Sequence, residues 1–203
     1  MSRTAPWLER GFAPGSGAAA GGTVGAMTRG KRKGDDFDGS QVIETDTMVL
    51  FWQPPGVFGQ WTDSEFTVDG VTYSCAEQFM MAEKARLFGD AEVCAKILAS
   101  REPREHKALG RQVAGFDHAV WERSCLDIVV RGNLAKFRQN PAMRAALLAT
   151  GDKLLVEATP FDKIWGVGLR ADDPRIHDRA NWRGQNLLGE ALMRVRAELS
   201  AEA

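Results

Sequence analysis

The sequence predicts a mainly α, multihelical domain with a small β-hairpin and short strands. Six segments with helical patterning follow one another after residue 75, and only three short stretches are β-prone. One of those stretches has Asp69-Gly70 at its centre, which is a strong hairpin-turn signal. Too few strands alternate with helices for a doubly wound parallel sheet, so that class is excluded.

The β-prone stretches are short, apolar and rich in β-branched or aromatic residues. They are "TMVLFW" (47–52), "EFTVDGVTYS" (65–74) and "KLLVEAT" (153–159). The second stretch is two runs around the Asp69-Gly70 turn, and it therefore predicts the hairpin.

The helices are predicted from apolar periodicity and from residues that suit helix ends. Pro103 and Pro141 suit first-turn positions, because proline lacks the N–H that a first turn leaves unpaired. Asn140 suits an N-cap. The predicted helices cover residues 75–88, 91–99, 103–113, 117–138, 141–149 and 185–200.

Length and composition limit the class of protein. The chain has 203 residues, with 26 Lys and Arg against 27 Asp and Glu, for a net charge of −1. That balance argues against affinity based on counterion release from nucleic acid, although a nucleotide or one modified base stays open as a ligand. The three cysteines have no motif spacing, and no apolar run reaches about 18 residues. We therefore expect a cytoplasmic protein with no membrane segment.

Residues 1–44 are predicted to be a disordered Gly/Ala-rich tail, and residues 45–203 to be the folded domain. The first forty residues hold nine of the 21 glycines and only four residues among Val, Ile, Leu and Phe. Such a segment cannot bury enough apolar surface to offset its ordering entropy. A transit peptide is the alternative for this basic stretch, but it lacks an amphipathic period.

The stretch "YSCAEQFMMAEKA" (73–85) raises a functional question. At 100° per residue, Glu77, Met81, Lys84 and Phe88 fall within an arc of about 60°. A carboxylate and an ammonium thus share one stripe with apolar side chains. Either Glu77 complements the helix N-terminus and Lys84 extends to water, or both groups have shifted pKa values suited to acid–base chemistry.

Two later segments also combine polar groups with flexible backbone. In "TPFDKIWGVG" (159–168), Asp162 lies in a turn, and Gly166 and Gly168 allow a ligand to approach the backbone. The alternative is that Asp162 only accepts hydrogen bonds from its own turn.

"NWRGQNLLGE" (181–190) leads a polar loop into the last helix. Free N–H groups at that helix start, with Arg183 beside them, are predicted to bind an anion or phosphate. The alternative is a capped helix with Trp182 packed over it.

Other catalytic arrangements have little support. The three histidines, His106, His118 and His177, have no ligand spacing among them, so we predict no metal and no cofactor. A Ser-His or Cys-His nucleophile pair is likewise not indicated. Trp121, in the long fourth helix, is expected either in the core or as a surface on which a heterocyclic base stacks.

Taken together, these motifs resemble the NADAR superfamily of YbiA-like domains, which are linked to NAD, ADP-ribose and riboflavin metabolism. The resemblance covers roughly residues 48 to 200 and rests on motifs in family order: the Asp-Gly hairpin, "AEQFMMAEKA", Trp121, "DKIWGVGL" and "NWRGQNLLGEALMRVR". Where the family commonly has Ser-Gln-Trp or Ser-Asn-Phe, this chain has Gly59-Gln60-Trp61, which removes one polar side chain.

The resemblance implies a hydrolase that breaks an N-glycosidic bond. The implied substrates are early riboflavin-biosynthesis intermediates, which are small phosphorylated glycosylamines, and the products are a pyrimidine and ribose 5-phosphate. By position, the implied catalytic residues are Glu77, Trp121, Asp162 and Lys84. The expected substrate-binding residues are Trp61, Gly166, Gly168, Trp182, Arg183 and Asn186.

Three hypotheses remain open at this point. Besides the riboflavin-intermediate N-glycosidase, the family includes hydrolases that remove ADP-ribose from guanine bases, which would make nucleic acid a partner. The third hypothesis is a non-catalytic domain that binds ADP-ribose or a nucleotide. A binding domain has no need of two carboxylates beside a phosphate, so Glu77 and Asp162 favour an enzyme.

Overall fold

A computed structural model of the protein describes residues 41–54 and 56–202. It has five short strands: β1 (Val42–Glu44), β2 (Met48–Phe51), β3 (Phe66–Val68), β4 (Val71–Tyr73) and β5 (Leu154–Glu157). Its six α-helices are α1 (Ala76–Leu87), α2 (Ala91–Ala99), α3 (Pro103–Gly110), α4 (His118–Gln139), α5 (Pro141–Ala149) and α6 (Leu187–Ala201). The predicted mainly α class is confirmed. The predicted disorder of residues 1–40 lies outside the described residues.

The strands form a three-stranded sheet and a separate hairpin. In the sheet, β2 pairs antiparallel with β1 and parallel with β5. The hairpin joins β3 to β4 through Asp69 and Gly70, whose φ angles are 50° and 78°. Two consecutive left-handed residues are the geometry that the Asp-Gly pair favours, so the predicted hairpin is confirmed.

Strand β1 was not predicted. It lies at the end of the segment that the sequence analysis assigned to the tail, directly before the predicted start of the domain at residue 45. Its sequence, Val-Ile-Glu, is short, and two of its three residues are exposed. Its conformation depends on pairing with β2, with Ile43 opposite Leu50, and such a non-local contact leaves no local pattern.

The sheet separates two apolar cores. Along β2, Val49 and Phe51 belong to the large core shared with the helices, whereas Met48 and Leu50 belong to a smaller core on the other face. On β5, Leu155 faces the helices. Because side chains alternate along a strand, Glu157 also lies on the helix-facing side, at the carboxyl end of β5.

Helix α1 lies at the centre of the large core. Nine of its twelve residues are buried, and it contacts α2, α3 and α4. Helix α4 approaches closely at Gly132, where a Cβ would lie 2.4 Å from Cδ1 of Phe79. A helix enclosed on all sides shows no clean apolar face, which explains why Glu77 and Lys84 share a stripe with apolar residues.

Helix ends differ from the prediction in detail. Asn140 does occupy the N-cap position of α5, but its side chain makes no capping hydrogen bond. Its Nδ2 instead donates to the carbonyl oxygens of Glu65 and Lys136, at 3.2 and 2.8 Å. Within the described part of the chain, no helix is long and apolar enough to cross a membrane.

Candidate active site

A cleft of about 870 Å³ opens at the carboxyl ends of the parallel strands β2 and β5, beside α1 and α3. This position is where α/β sheets commonly bind ligands, and the volume is typical of a small-molecule site. Four of the predicted site residues line it: Trp61, Glu77, Lys84 and Asp162.

Glu77 lies in the first turn of α1, with only 4% of its surface exposed. Its backbone N–H donates to the carbonyl oxygen of Gln60 at 2.9 Å, which places the neighbouring Trp61 beside it. Burial raises the pKa of Glu77 to about 7, against the opposing influence of Lys107 and of the Trp61 indole. This pKa lies near neutral pH, where a carboxyl group can both accept and donate protons.

The loop that carries Trp61 is held by a buried lysine on α4. The Nζ atom of Lys136, which is fully buried, donates to the carbonyl oxygens of Val57 and Gly59 at 2.7 and 3.0 Å. On the same helix, Asn133 Nδ2 donates to Gln60 Oε1 at 3.0 Å. These contacts fix the backbone of the loop, and therefore the approach of Trp61 to Glu77.

The glycine at position 59 matches the packing of this loop. A Cβ at Gly59 would lie 3.3 Å from the Thr62 hydroxyl oxygen, and that hydroxyl donates to the carbonyl oxygen of Gly56. The hydroxyl of Thr62 therefore closes the loop from Gly56 to Thr62 and lies next to the space that a side chain at position 59 would need.

Asp162 uses its two carboxylate oxygens differently. Oδ1 accepts the N–H groups of Ile164 and Trp165 at 3.0 and 2.9 Å, so the predicted turn contact is present. Oδ2 lies 3.8 Å from Nζ of Lys107 and is available to the cleft. The turn thus orients the carboxylate that faces the ligand space.

Lys84 has an aromatic environment rather than an acidic one. Its Nζ donates to the carbonyl oxygen of Gly110 at 2.8 Å and lies 4.2 Å from the centre of the Phe116 ring. The Trp121 ring is 5.5 Å away. Burial lowers the pKa of Lys84, which enlarges the uncharged, nucleophilic fraction of the amine.

Trp121 therefore lies against Lys84, and it is not among the residues that line the cleft. It is half-buried at the start of α4. Its ring covers the lysine instead of presenting a free stacking surface.

The two glycines expected to approach a ligand approach other parts of the protein. A Cβ at Gly166 would lie 2.3 Å from Cγ2 of Thr159, and one at Gly168 would lie 3.0 Å from Cβ of Arg183. Gly168 also has a φ of 70°. Neither residue lines the cleft.

The expected anion site at the start of α6 is already occupied by protein groups. The N–H groups of Leu187 and Leu188 donate to the carbonyl oxygens of Ile164 and Trp165. These donors are consequently not free for phosphate, and the exposed side chain of Arg183 does not line the cleft. The role of Arg183 and this helix start in binding phosphate stays a prediction, without the free N–H groups of Leu187 and Leu188 that it assumed.

Asn186 and Trp182 have structural partners. Asn186 is left-handed, with a φ of 58°; its Oδ1 accepts the N–H of Glu157 at 3.0 Å, and its Nδ2 donates to the carbonyl oxygen of Leu155 at 2.8 Å. It therefore fixes the end of β5. Trp182 packs on the smaller core, and its indole N–H donates to Ile176 at 2.8 Å.

The sequence analysis missed two further carboxyl groups of the cleft, the exposed Glu102 and the half-buried Glu157. Glu157 is the one with unusual surroundings. It lines the cleft with Glu77 and Asp162, and its Oε2 is buried without a hydrogen-bond partner among the described residues. Burial raises its pKa to about 8, and the charges of Asp162 and Glu77 add to that rise while Lys107 opposes it. The local signal that could have found Glu157 is a glutamate at the end of an otherwise apolar strand.

The sequence analysis also missed the cations of α3. Arg104, Lys107 and Arg111 follow one another at helical spacing, and all three line the cleft. Neither Arg104 nor Arg111 forms a salt bridge with another residue in the described part of the chain. The positive charges that could bind an anionic ligand in this cleft are therefore those on and beside α3.

Cys75 and His106 form a pair that the sequence did not indicate, but not a reactive one. Cys75 Sγ lies 3.8 Å from His106 Nδ1, and both side chains are buried. Burial raises the pKa of the Cys75 thiol and lowers the pKa of His106, so the pair stays neutral. A thiolate nucleophile needs the opposite shift at sulfur. In residues 41–54 and 56–202, no group of three His, Cys, Asp or Glu residues is arranged to hold a metal ion.

The chain is similar in sequence to one protein family and in fold to a solved structure. Residues 50–200 match the family model of the NADAR domain. An N-glycosidase of Acanthamoeba polyphaga mimivirus is 42% identical over 167 residues, which are 77% of this chain and 98% of that protein. An N-glycosidase of Nostoc punctiforme is 33% identical over 148 residues, covering 73% of this chain and 88% of that protein. An NMR structure of the E. coli protein YbiA, 29% identical, superposes with a TM-score of 0.65 and covers 80% of this chain and 90% of that one.

Proposed function

The chain belongs to the NADAR domain family, and on that premise we propose that it is an N-glycosidase that hydrolyses ribosylaminopyrimidine phosphates, the early intermediates of riboflavin biosynthesis. The products are the free pyrimidine and ribose 5-phosphate. Relatives named N-glycosidases support the reaction type. The observation that carries the proposal is the meeting of Glu77, Asp162 and Lys84 in one cleft with the α3 cations.

The α3 cations are proposed to bind the 5-phosphate. Arg104 and Arg111 are free of carboxylate partners within the described residues, and guanidinium groups bind phosphate in a bidentate manner. The indole of Trp61, which also lines the cleft, is proposed to supply a flat face for the pyrimidine.

The chemistry concerns the bond between C1 of the ribose and the amine nitrogen of the pyrimidine. In the ring-opened sugar, the Lys84 amine attacks C1, and the C–N bond to the pyrimidine breaks with its electron pair moving to the leaving nitrogen, which takes up a proton. Water then releases the sugar from Lys84. Glu77 activates that water, and the charge of Asp162 stabilises the positive carbon–nitrogen centre.

A second candidate, the removal of ADP-ribose from guanine, is favoured by one observation. A hollow of about 420 Å³ adjoins the cleft and shares Trp52 and Phe161 with it. Phe161 is 95% exposed, so its ring is free to stack on a second base. We favour the small substrate because the net charge is −1 and the cleft needs only one phosphate clamp.

The test is turnover of the ribosylaminopyrimidine phosphate by the Glu77→Gln variant. Glutamine keeps the shape of the side chain but cannot exchange protons, so turnover should fall by about 10²–10⁴-fold with the melting temperature preserved. Released pyrimidine and ribose 5-phosphate are measured by chromatography.

The control is Glu92→Gln on α2, where the carboxylate pairs with Lys96 outside the cleft. It should keep full activity. Full activity in the Glu77→Gln variant would reduce Glu77 to a helix-terminal residue and reject its role in the proposal.

A further inference from the structure

Two of the four carboxyl groups that line the cleft, Glu102 and Glu157, have no task in the proposed reaction, and of these Glu102 is exposed whereas Glu157 is half-buried. Cleavage of the C–N bond leaves an electron pair on the pyrimidine amine, and that nitrogen must receive a proton as it departs. Asp162 is already engaged on both oxygens: Oδ1 accepts two turn amides, and Oδ2 lies 3.8 Å from Nζ of Lys107. In the proposed reaction, Glu77 activates the water that releases the sugar. Neither of these carboxyl groups is therefore free to donate the proton to the leaving amine nitrogen.

Glu157 occupies the position that a proton donor requires. Its side chain faces the cleft from the end of β5, and the residue is half-buried because it borders that space. Its Oε2 is buried and makes no hydrogen bond to any described residue. An unpaired buried carboxyl oxygen costs free energy unless it is protonated or finds a ligand partner, and the substrate amine is such a partner.

The backbone that carries Glu157 is held in place from both sides. Val167 N–H donates to the Glu157 carbonyl oxygen at 3.0 Å, and Glu157 N–H donates to Asn186 Oδ1 at the same distance. Asn186 also holds Leu155, two residues back along β5. The carboxyl group therefore projects from a fixed strand end and not from a mobile loop, as a positioned catalytic group requires.

We propose that Glu157 is the general acid of the reaction: its carboxyl proton passes to the pyrimidine amine nitrogen as the C1–N bond breaks. The nitrogen keeps the electron pair of that bond and leaves as a neutral amine, and Glu157 is left as a carboxylate. Glu77 holds the proton that it took from water. The cycle closes when Glu77 releases this proton to solvent and Glu157 takes one up. This inference rests on the proposed N-glycosidase function.

The charges around Glu157 support its protonated form at neutral pH. Glu77 on α1 and Asp162 in the loop after β5 both disfavour a further negative charge, while Lys107 on α3 opposes them. With a pKa of about 8, Glu157 carries its proton at pH 7 and loses it as the pH rises. Activity should therefore decline above about pH 8.

The experiment compares two leaving groups in the Glu157→Gln variant. The ribosylaminopyrimidine phosphate needs a proton on its leaving amine, so its turnover should fall by about 10²–10⁴-fold, and the decline at high pH should disappear. N-(2,4-Dinitrophenyl)ribosylamine 5-phosphate can open its ring in the same way, but its leaving nitrogen spreads negative charge into the nitro groups and needs a donated proton much less. The variant should therefore cleave it at close to the wild-type rate. Glu44→Gln is the matched control, because Glu44 is exposed and pairs with Lys153, the residue before β5, outside the cleft.

Each outcome decides between the possibilities. Equal loss on both substrates, or an unchanged alkaline decline, would overturn the assignment and make Glu157 a structural residue. If the wild-type enzyme cleaves only an ADP-ribosylated guanine, the proposed substrate is wrong. The alkaline decline on that guanine substrate then tests Glu157, and its survival in Glu157→Gln would reject the general acid.

Discussion

At the scale of single residues, the stripe of α1 explains how one helix supplies two reactive groups. Glu77 and Lys84 are two turns apart on a helix that is enclosed on nearly all sides, so both lose part of their hydration. Burial shifts their pKa values in opposite directions, upward for the carboxyl and downward for the amine. The lowered pKa enlarges the uncharged fraction of the Lys84 amine that can attack a carbon, and a pKa of about 7 lets Glu77 take a proton from water at neutral pH and release it again.

The role of Lys84 predicts a covalent intermediate. Wild-type enzyme treated with the ribosylaminopyrimidine phosphate and cyanoborohydride should gain the mass of a reduced ribose phosphate adduct, because the reagent traps an imine. Lys84→Arg keeps the charge but has no nucleophilic amine at neutral pH, so it should gain no mass and lose turnover.

Lys153→Arg, outside the cleft and paired with Glu44, is the control and should be labelled like the wild type. An adduct on the Lys84→Arg variant, or undiminished turnover by it, would contradict the assignment.

At the scale of secondary-structure elements, local patterns predicted most of the fold. The helices were found to within about three residues, because apolar periodicity and proline positions are local signals. The Asp-Gly hairpin was found for the same reason. Strand β1 was missed, since it is defined by its partner β2.

Elements also explain which parts of the site could be predicted. Glu77, Lys84 and Asp162 lie in recognisable motifs and line the cleft. At the start of α6 the sequence could not show that the N–H groups of Leu187 and Leu188 are paired with the loop after β5, because that contact is not local. Glu157 and the α3 cations acquire meaning only when β5 and α3 meet α1, and no sequence spacing encodes that meeting.

Helix α3 predicts how the enzyme binds its substrate. Arg104→Gln removes one proposed phosphate contact, so KM for the phosphorylated substrate should rise about tenfold or more, while kcat changes little. The dephosphorylated substrate should show no such difference.

The matched control for this prediction is Arg101→Gln, two residues before the helix. Its side chain pairs with Glu65 away from the cleft, so the KM of this variant should equal that of the wild type. If both variants raise KM equally, general electrostatic attraction and not a phosphate contact is responsible.

At the scale of the whole molecule, the cleft forms where the three-stranded sheet, α1 and α3 meet. The carboxyl ends of β2 and β5 provide one wall, α1 provides the reactive stripe, and α3 provides positive charge. Because the net charge is −1 and three of the four cleft cations lie on or beside one short helix, we expect one phosphorylated ligand rather than a nucleic-acid strand. The proposed function therefore depends chiefly on the identity of the substrate.

The most direct test compares turnover of the ribosylaminopyrimidine phosphate with turnover of an ADP-ribosylated guanine oligonucleotide, each at low and moderate salt. We predict efficient release of pyrimidine and ribose 5-phosphate with a shallow salt dependence, because only one phosphate is bound. Efficient cleavage of the oligonucleotide alone, suppressed by salt as neighbouring phosphates lose their contacts, would contradict the account and identify the ADP-ribosyl-guanine hydrolase instead.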